Sequence, residues 1–513
     1  MKQKEFMKNA ATMTVTALIL RAIGIFFRIY LSGRIGAEGM GLYQLIFSVY
    51  VLASTFASSG ICTAVTRLIT DELVCGTCKT VKRILRRTTV LSIVIGILSA
   101  LLIGCAAQPI GTYLLQDTRA VPSLKILGIS LPFMGLSSCL RGYFMARRKS
   151  LLPSVSQIAE QIARILLIVL FLNFLEGHGI AYSCFAIILG DSLAEILSAC
   201  ILSAGYVWDV KHIKNLQPSV RSHPTRGILH RVLSIAAPIT AGRYLNSALR
   251  TVENILVPQK LAVSGGSSAE ALSSFGMLKG MALPLLFFPS SFLSSLSTLL
   301  IPELSEAHTL GHKQKVEKAV CKALKLTLLI SVLLGGLFTY FAYDLGELLY
   351  QSTEVGFLLR VLAPLMPIMY LESIVDGMLK GLNQQVSSLW YSILDSGSRI
   401  LLILILVPGY GMGGFLLIMI FSNLLTSYLN LQRLLNVTGI RMRWGQWIVK
   451  PTLAVSLAGV LVFWCNRYLP LLSVYLRITA GSLLICGIYL LLVVAMGCIN
   501  KNDLLGLKPR RSF

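Results

Sequence analysis

Charge is scarce in this chain. Only 13% of its 513 residues are Asp, Glu, Lys or Arg, against about 25% in a soluble domain. Acid is scarcer still, with 22 Asp and Glu against 46 Lys and Arg and a formal net charge of +24. A nucleic-acid binder gathers such an excess on one face. Here the basic residues sit in short loops between apolar runs, so no nucleic-acid partner is expected. The ten-residue alternating strands of a membrane barrel are missing. So are a Walker A loop, GxGxxG before a helix, HExxH and a nucleophile elbow. His308 and His312 stand four apart in a charged loop and read as solvated, so no metal and no cofactor is expected. Cys75-Gly-Thr-Cys78 is the one CxxC among eleven cysteines, and no second pair completes a zinc site. Reduced, structurally neutral thiols fit best. The basic start, MKQKEFMKNA, precedes a full-length apolar run without a small-residue cleavage site, which predicts a retained segment and not a cleaved signal peptide.

What the chain has in quantity is apolar sequence, 55% of it, in runs of twenty residues or more. That length spans a bilayer as a helix. The runs predict an all-α polytopic membrane protein with about fourteen transmembrane helices. Lys and Arg concentrate in alternate loops, for example Lys79, Lys82, Arg83, Arg86 and Arg87, then Arg147, Arg148 and Lys149. The opposite loops carry isolated charges such as Arg119 and Lys260. This bias places both termini in the cytoplasm.

The longest polar break, 208–230, is basic and holds Pro218 and Pro224. It reads as a cytoplasmic linker between an N-lobe of helices 1–6 (1–207) and a C-lobe of helices 7–12 (231–437). Helices 13–14 and a basic cytoplasmic tail follow in 438–513. An internal repeat supports the two lobes. Residues 131–170 align without a gap on 366–405, so that Pro132 meets Pro367, Gly142 meets Gly377, Glu160 meets Asp395 and Arg164 meets Arg399. Six helices separate the copies, which makes the repeat parallel, about an axis along the membrane normal. Transporters built this way commonly bind substrate between the halves.

Against this apolar background a few charges lie inside spans. Arg21 and Arg28 lie in the first span, and Arg243 and Arg250 in the seventh, each pair seven residues apart. Seven residues is about two helical turns, so each pair shares a face. A charge in hydrocarbon costs at least roughly 3 kcal/mol and normally faces a cavity or a partner. The deep pair, Arg21 and Arg243, is the expected anion site, since guanidinium suits phosphate through paired hydrogen bonds. Arg28 and Arg250 lie nearer the outer ends. They either rim the same cavity or snorkel to the interface. Lys279, in the eighth span, is a further substrate-binding candidate. Glu160 with Arg164, and Asp395 with Arg399, are i,i+4 pairs that serve internal charge balance or gating, and Glu253 is placed one turn after Arg250. Asp191 and Glu195 share a face of the sixth span, where embedded carboxylates either balance arginines or bind a coupling ion.

Several stretches carry a family resemblance: RIYLSGRIGAEGMGLYQL, IAAPITAGRYLNSALRTVENILVPQKL, GMLKGMALPLLFFPSSFLSSLSTLLIPELSEA and VPGYGMGGF. Through them the chain resembles the polysaccharide and lipid-linked oligosaccharide flippase branch of the multidrug/oligosaccharidyl-lipid/polysaccharide (MOP) exporter superfamily, in particular its stage V sporulation protein B group. The resemblance runs over nearly the whole chain. It implies two six-helix lobes with two extra C-terminal helices, in a bacterial cytoplasmic membrane. It implies alternating access that carries an undecaprenyl-pyrophosphate-linked saccharide or peptidoglycan precursor to the outer leaflet, and no covalent catalysis. A link to spore cortex comes from the group's name alone. The partners implied are the polyprenyl-pyrophosphate-linked saccharide, membrane lipids and a coupling ion, Na+ or H+. In related lipid II flippases, arginines of helix 1 line the cavity, and Arg21 sits comparably. The competing expectation is a cation-coupled multidrug exporter of the same superfamily, which would use acids in helices 1 and 7. A membrane glycosyl- or phosphotransferase would need clustered acids or histidines at a membrane face, and the short outer loops offer none.

Overall fold

In a computed structural model, the described residues are 2–75, 78–175, 177–211, 227–291, 293, 304–440, 442–468 and 474–498. The Cys75 and Cys78 side chains, linker residues 212–226, most of 292–303 and the tail from 499 lie outside the described residues. Every regular element among the described residues is helical. The chain divides into two compact units, one of Met1–Gly276 with Ile400–Met412, the other of Met277–Arg399 with Gly413–Phe513.

The first unit holds α1 (Lys2–Ser58), α2 (Ile61–Cys75), α3 (Cys78–Pro109), α4 (Val121–Ala146), α5 (Leu151–Phe174), α6 (Ile180–Lys211), α7 (Ile228–Val263) and α8 (Ser268–Phe275). At 57 residues α1 would run about 85 Å if straight, far beyond a hydrocarbon core of about 30 Å. It breaks at Gly36, where φ 70° lies in the left-handed region that glycine adopts at no steric cost. The second unit holds α9 (Leu283–Phe287), α10 (Lys313–Tyr340), α11 (Ala342–Tyr350), α12 (Thr353–Leu362), α13 (Met366–Gly381), most of α14 (Gln385–Thr438), α15 (Lys450–Tyr468) and α16 (Val474–Ala495). The 54-residue α14 breaks at Gly411, φ 55°, for the same reason.

Ten helical stretches are long and apolar enough to cross a membrane. Two of these contain the breaks at Gly36 and Gly411, and each supplies two crossings. Outside those ten stand α7 and the stretch from Ser268 that continues through a π-helical segment, Gly276–Ala282. Together they make the fourteen helices of an all-α polytopic membrane protein.

Lipid gives apolar helices no hydrophobic reason to associate, so close packing and interhelical hydrogen bonds hold them together. In the first unit α7, the helix expected to open the second lobe, packs on α1 and α2. A cluster built on Ile61, Val65, Leu140, Tyr143, Leu202 and Val232 joins α2, α4, α6 and α7. Tyr143 donates to Asp209 at 2.7 Å, and the Asp209 carboxylate also pairs with Arg147 at 3.3 Å. In the second unit α15 and α16 lean on α10 through Val332, Phe341, Val455, Val462, Ile485 and Tyr489. The Tyr489 hydroxyl donates to the Leu329 carbonyl at 2.8 Å.

Candidate functional site: an arginine-lined polar cavity

The second half of α1 carries Gln44, Ser48, Val51, Thr55 and Ser58 at alternating spacings of four and three. That spacing lays them along one helical face. On α7, Arg243, Ser247, Arg250 and Asn254 form a matching stripe. The two stripes, with Ser138 of α4 and residues around Gly60, enclose a cavity of about 650 Å³. Arg243 and Arg250 are the charged side chains among its described lining, and no acid joins them there.

Hydrogen bonds fix α7 against α1. Thr240 Oγ1 donates to the Ser59 carbonyl at 2.7 Å, Thr251 Oγ1 to the Ser48 carbonyl at 3.1 Å, and Asn254 Nδ2 to Ser48 Oγ at 2.9 Å. The ring of Phe56 meets Tyr244 edge-on at 5.9 Å. Ser138 Oγ donates to the Ser58 carbonyl at 2.9 Å and brings α4 to the same wall. Between α1 and α2 the chain turns at Gly60, φ 75°, where a Cβ would stand 2.5 Å from the Ala236 carbonyl oxygen of α7. The turn and the close approach both require glycine.

Three lining side chains, Gln44, Ser59 and Ser247, hold buried polar atoms without a hydrogen-bond partner among the described residues. Buried polar groups normally find partners. This wall therefore presents unspent donors and acceptors beside two guanidiniums. The arrangement suits an oxyanion attached to a hydroxyl-rich group.

The other residues singled out from the sequence lie elsewhere. Arg21 and Arg28 sit on the first half of α1, before the break at Gly36, Arg21 exposed and Arg28 half-buried, and neither lines this cavity. Lys279 lies in the π-helical segment, its ammonium 5.9 Å from the Phe415 ring in the second unit. Glu253 is buried on α7. The Glu160–Arg164 pair forms at 2.8 Å and the Asp395–Arg399 pair at 3.3 Å. Asp395 also accepts from Ser422 Oγ at 2.6 Å. Glu160 has a second cation that the sequence did not single out: Arg141 of α4 reaches it at 2.9 Å and Ser198 of α6 at 3.2 Å. Arg164 in turn pairs with Asp191. Arg141, Glu160, Arg164 and Asp191 thus tie α4, α5 and α6 together within the membrane. The signal for Arg141 was an arginine inside a span, LSSCLRGYF, with no acid within four residues.

The model of the polysaccharide biosynthesis protein family matches residues 6–308, more than half of the chain and the whole of this cavity. The chain belongs to the polysaccharide biosynthesis protein family. Stage V sporulation protein B of Bacillus subtilis (strain 168) is 24% identical over 516 residues, covering 98% of each chain. Lipid II flippase MurJ of the same organism is 21% identical over 411 residues, 74% of this chain and 73% of MurJ. Among solved structures, lipid II flippase MurJ in an inward closed conformation superposes with a TM-score of 0.70 at 15% identity, covering 96% of this chain and 99% of that one. At that identity the likeness speaks for the fold of this family member.

Proposed function

We propose that this polysaccharide biosynthesis family member is an alternating-access flippase. It moves an undecaprenyl-pyrophosphate-linked oligosaccharide or peptidoglycan precursor across the bacterial cytoplasmic membrane, for cell-envelope or spore-cortex synthesis. The observation that carries the reading is the cavity of the first unit: two arginines, a lining rich in hydroxyls and amides, and no acid among its described lining. The diphosphate sits on Arg243 and Arg250 through charge-assisted hydrogen bonds, and the saccharide takes up the hydroxyl and amide groups. Arg21, Arg28 and Lys279 are further anion contacts along the route. The Glu160–Arg164 and Asp395–Arg399 pairs balance charge or gate. Glu253 serves alongside Arg250. Both termini are cytoplasmic, as the loop charges ask.

The relatedness to stage V sporulation protein B and to lipid II flippase MurJ supports a lipid-linked substrate. The same cavity counts against the drug-exporter reading, because organic cations would meet two guanidiniums and no carboxylate. Transport is the whole reaction in this proposal, with no bond made or broken. The test is reconstitution in proteoliposomes with a panel of lipid-linked saccharides and imposed Na+ or H+ gradients. Translocation of an intact lipid-linked saccharide is the expected result. Extrusion of cationic dyes without it, or chemical conversion of the lipid by the protein in detergent, would overturn the reading.

A further inference from the structure

The second unit has its own cavity, of about 1090 Å³. That is slightly above the roughly 300–1,000 Å³ of ligand pockets. It lies between α10, the α12–α13 junction, α15 and α16. Its walls are mostly apolar, with Val332, Val455, Val460 and Phe463 beside Pro364 and Pro367. Gly459 leaves open space on one wall, where an added Cβ would meet nothing closer than Tyr340 at 3.8 Å.

One rim is charged. Arg477 of α16 pairs with Asp344 of α11, yet its Nε is buried without a hydrogen-bond partner among the described residues. Arg360 of α12 stacks over the Tyr343 ring at 5.5 Å and makes no ion pair or hydrogen bond with a described residue. The rim therefore carries two arginines and one carboxylate, a surplus of one positive charge. Tyr340 and Tyr343 stand beside it, where aromatic side chains mark a membrane interface. This rim lies at the far end of α10 from its basic start, Lys313 to Lys325. The charge asymmetry of the loops assigns that end to the outer leaflet.

We propose that this cavity seats a glycerophospholipid of the outer leaflet with one net negative charge, such as phosphatidylglycerol. Its phosphodiester bridges the Arg360 and Arg477 guanidiniums. One acyl chain fills the apolar groove between α10 and α15. The single surplus charge on the rim matches the single charge of such a headgroup and gives a zwitterionic lipid no net attraction. The seat rests on the cytoplasmic placement of the termini, and it is independent of the arginine cavity in the first unit.

The test uses the full chain, delipidated in detergent with no transport substrate present, so its outcome does not depend on flipping. Native mass spectrometry counts retained phosphatidylglycerol or phosphatidylcholine. A phosphatidylglycerol with a diazirine on its acyl chain reports where the chain lies. The wild type should retain phosphatidylglycerol at least tenfold better than phosphatidylcholine and crosslink within 332–340 and 452–463. R360Q has no ion pair to lose and should cut retention several-fold, and R360Q/R477Q at least tenfold. D344N should raise retention, and G459L should abolish the chain crosslink while melting like the wild type. Equal retention of both lipids, retention unmoved by R360Q and G459L alike, or displacement by an equimolar polyprenyl phosphate would each overturn the proposal.

Discussion

Arg141 of α4 and Glu160 of α5 form an ion pair at 2.9 Å, nineteen residues apart in the chain and on neighbouring helices. Glu160 accepts from Arg164 with its other oxygen, so one carboxylate holds two guanidiniums. Removing one partner of a fully buried pair costs about 3–5 kcal/mol, and this part-buried pair should cost less. Glu160→Gln strands the Arg141 guanidinium and should lower thermal stability in detergent, whereas Arg141→Gln leaves Glu160 with Arg164 and should cost less. The double variant should recover part of the loss, because no unpaired charge remains between those two positions. Additive losses would show that the pair carries no coupling.

Gly60 lets α2 leave α1 beneath α7. Gly60→Ala adds a left-handed alanine, at about 1–2 kcal/mol, and presses on the Ala236 carbonyl. Thermal melting should fall by more than the strain alone accounts for. Gly24→Ala serves as the control, since nothing lies within 4 Å of a Cβ there. It should be neutral or slightly stabilising, as alanine is the better helix former.

The C-terminal pair is held to α10 in part by the Tyr489 hydroxyl. Tyr489→Phe keeps the ring in its packed site and removes one interhelical hydrogen bond, which in membranes averages about 0.6 kcal/mol. A small drop in melting temperature is expected. Transport should remain within about twofold of the wild type, because Tyr489 lies outside the arginine cavity.

Arg243→Gln and Arg250→Gln each delete one charged donor from the cavity wall. A hydrogen bond to a charged group contributes about 1.5–3 kcal/mol, so each variant should lose roughly ten- to a hundredfold in transport at matched expression. Both side chains are exposed on α7, and melting should barely change. Arg→Lys at either site should recover part of the activity, since lysine keeps the charge and loses the fork.

The spans were legible because each apolar run is a membrane crossing, and even the breaks in α1 and α14 fall between predicted crossings. Which glycine breaks α1 was not legible. Gly33, Gly36, Gly39 and Gly41 crowd one stretch, and only the backbone distinguishes Gly36. The Glu160–Arg164 and Asp395–Arg399 pairs were readable because i,i+4 contacts are local. Arg141 was not, because its partner is on another helix. The cavity wall on α1 leaves little mark on the sequence for a different reason. Ser48, Ser54, Thr55 and Ser58 scarcely disturb hydropathy, although their spacing puts them on one face toward α7. The seven-residue spacing did mark Arg243 and Arg250 as a shared face, and both open into one cavity. The same spacing could not tell that Arg21 and Arg28 precede the break at Gly36, where α1 turns before its cavity-lining half.

A flippase of this kind must hold a lipid-linked diphosphate in its arginine cavity. Equilibrium binding of an undecaprenyl-diphosphate-linked saccharide to the full chain in nanodiscs tests this most directly, for the wild type and for R243Q/R250Q. The double variant should bind at least tenfold more weakly, with an unchanged melting temperature. Equal affinity of the two proteins would contradict this reading.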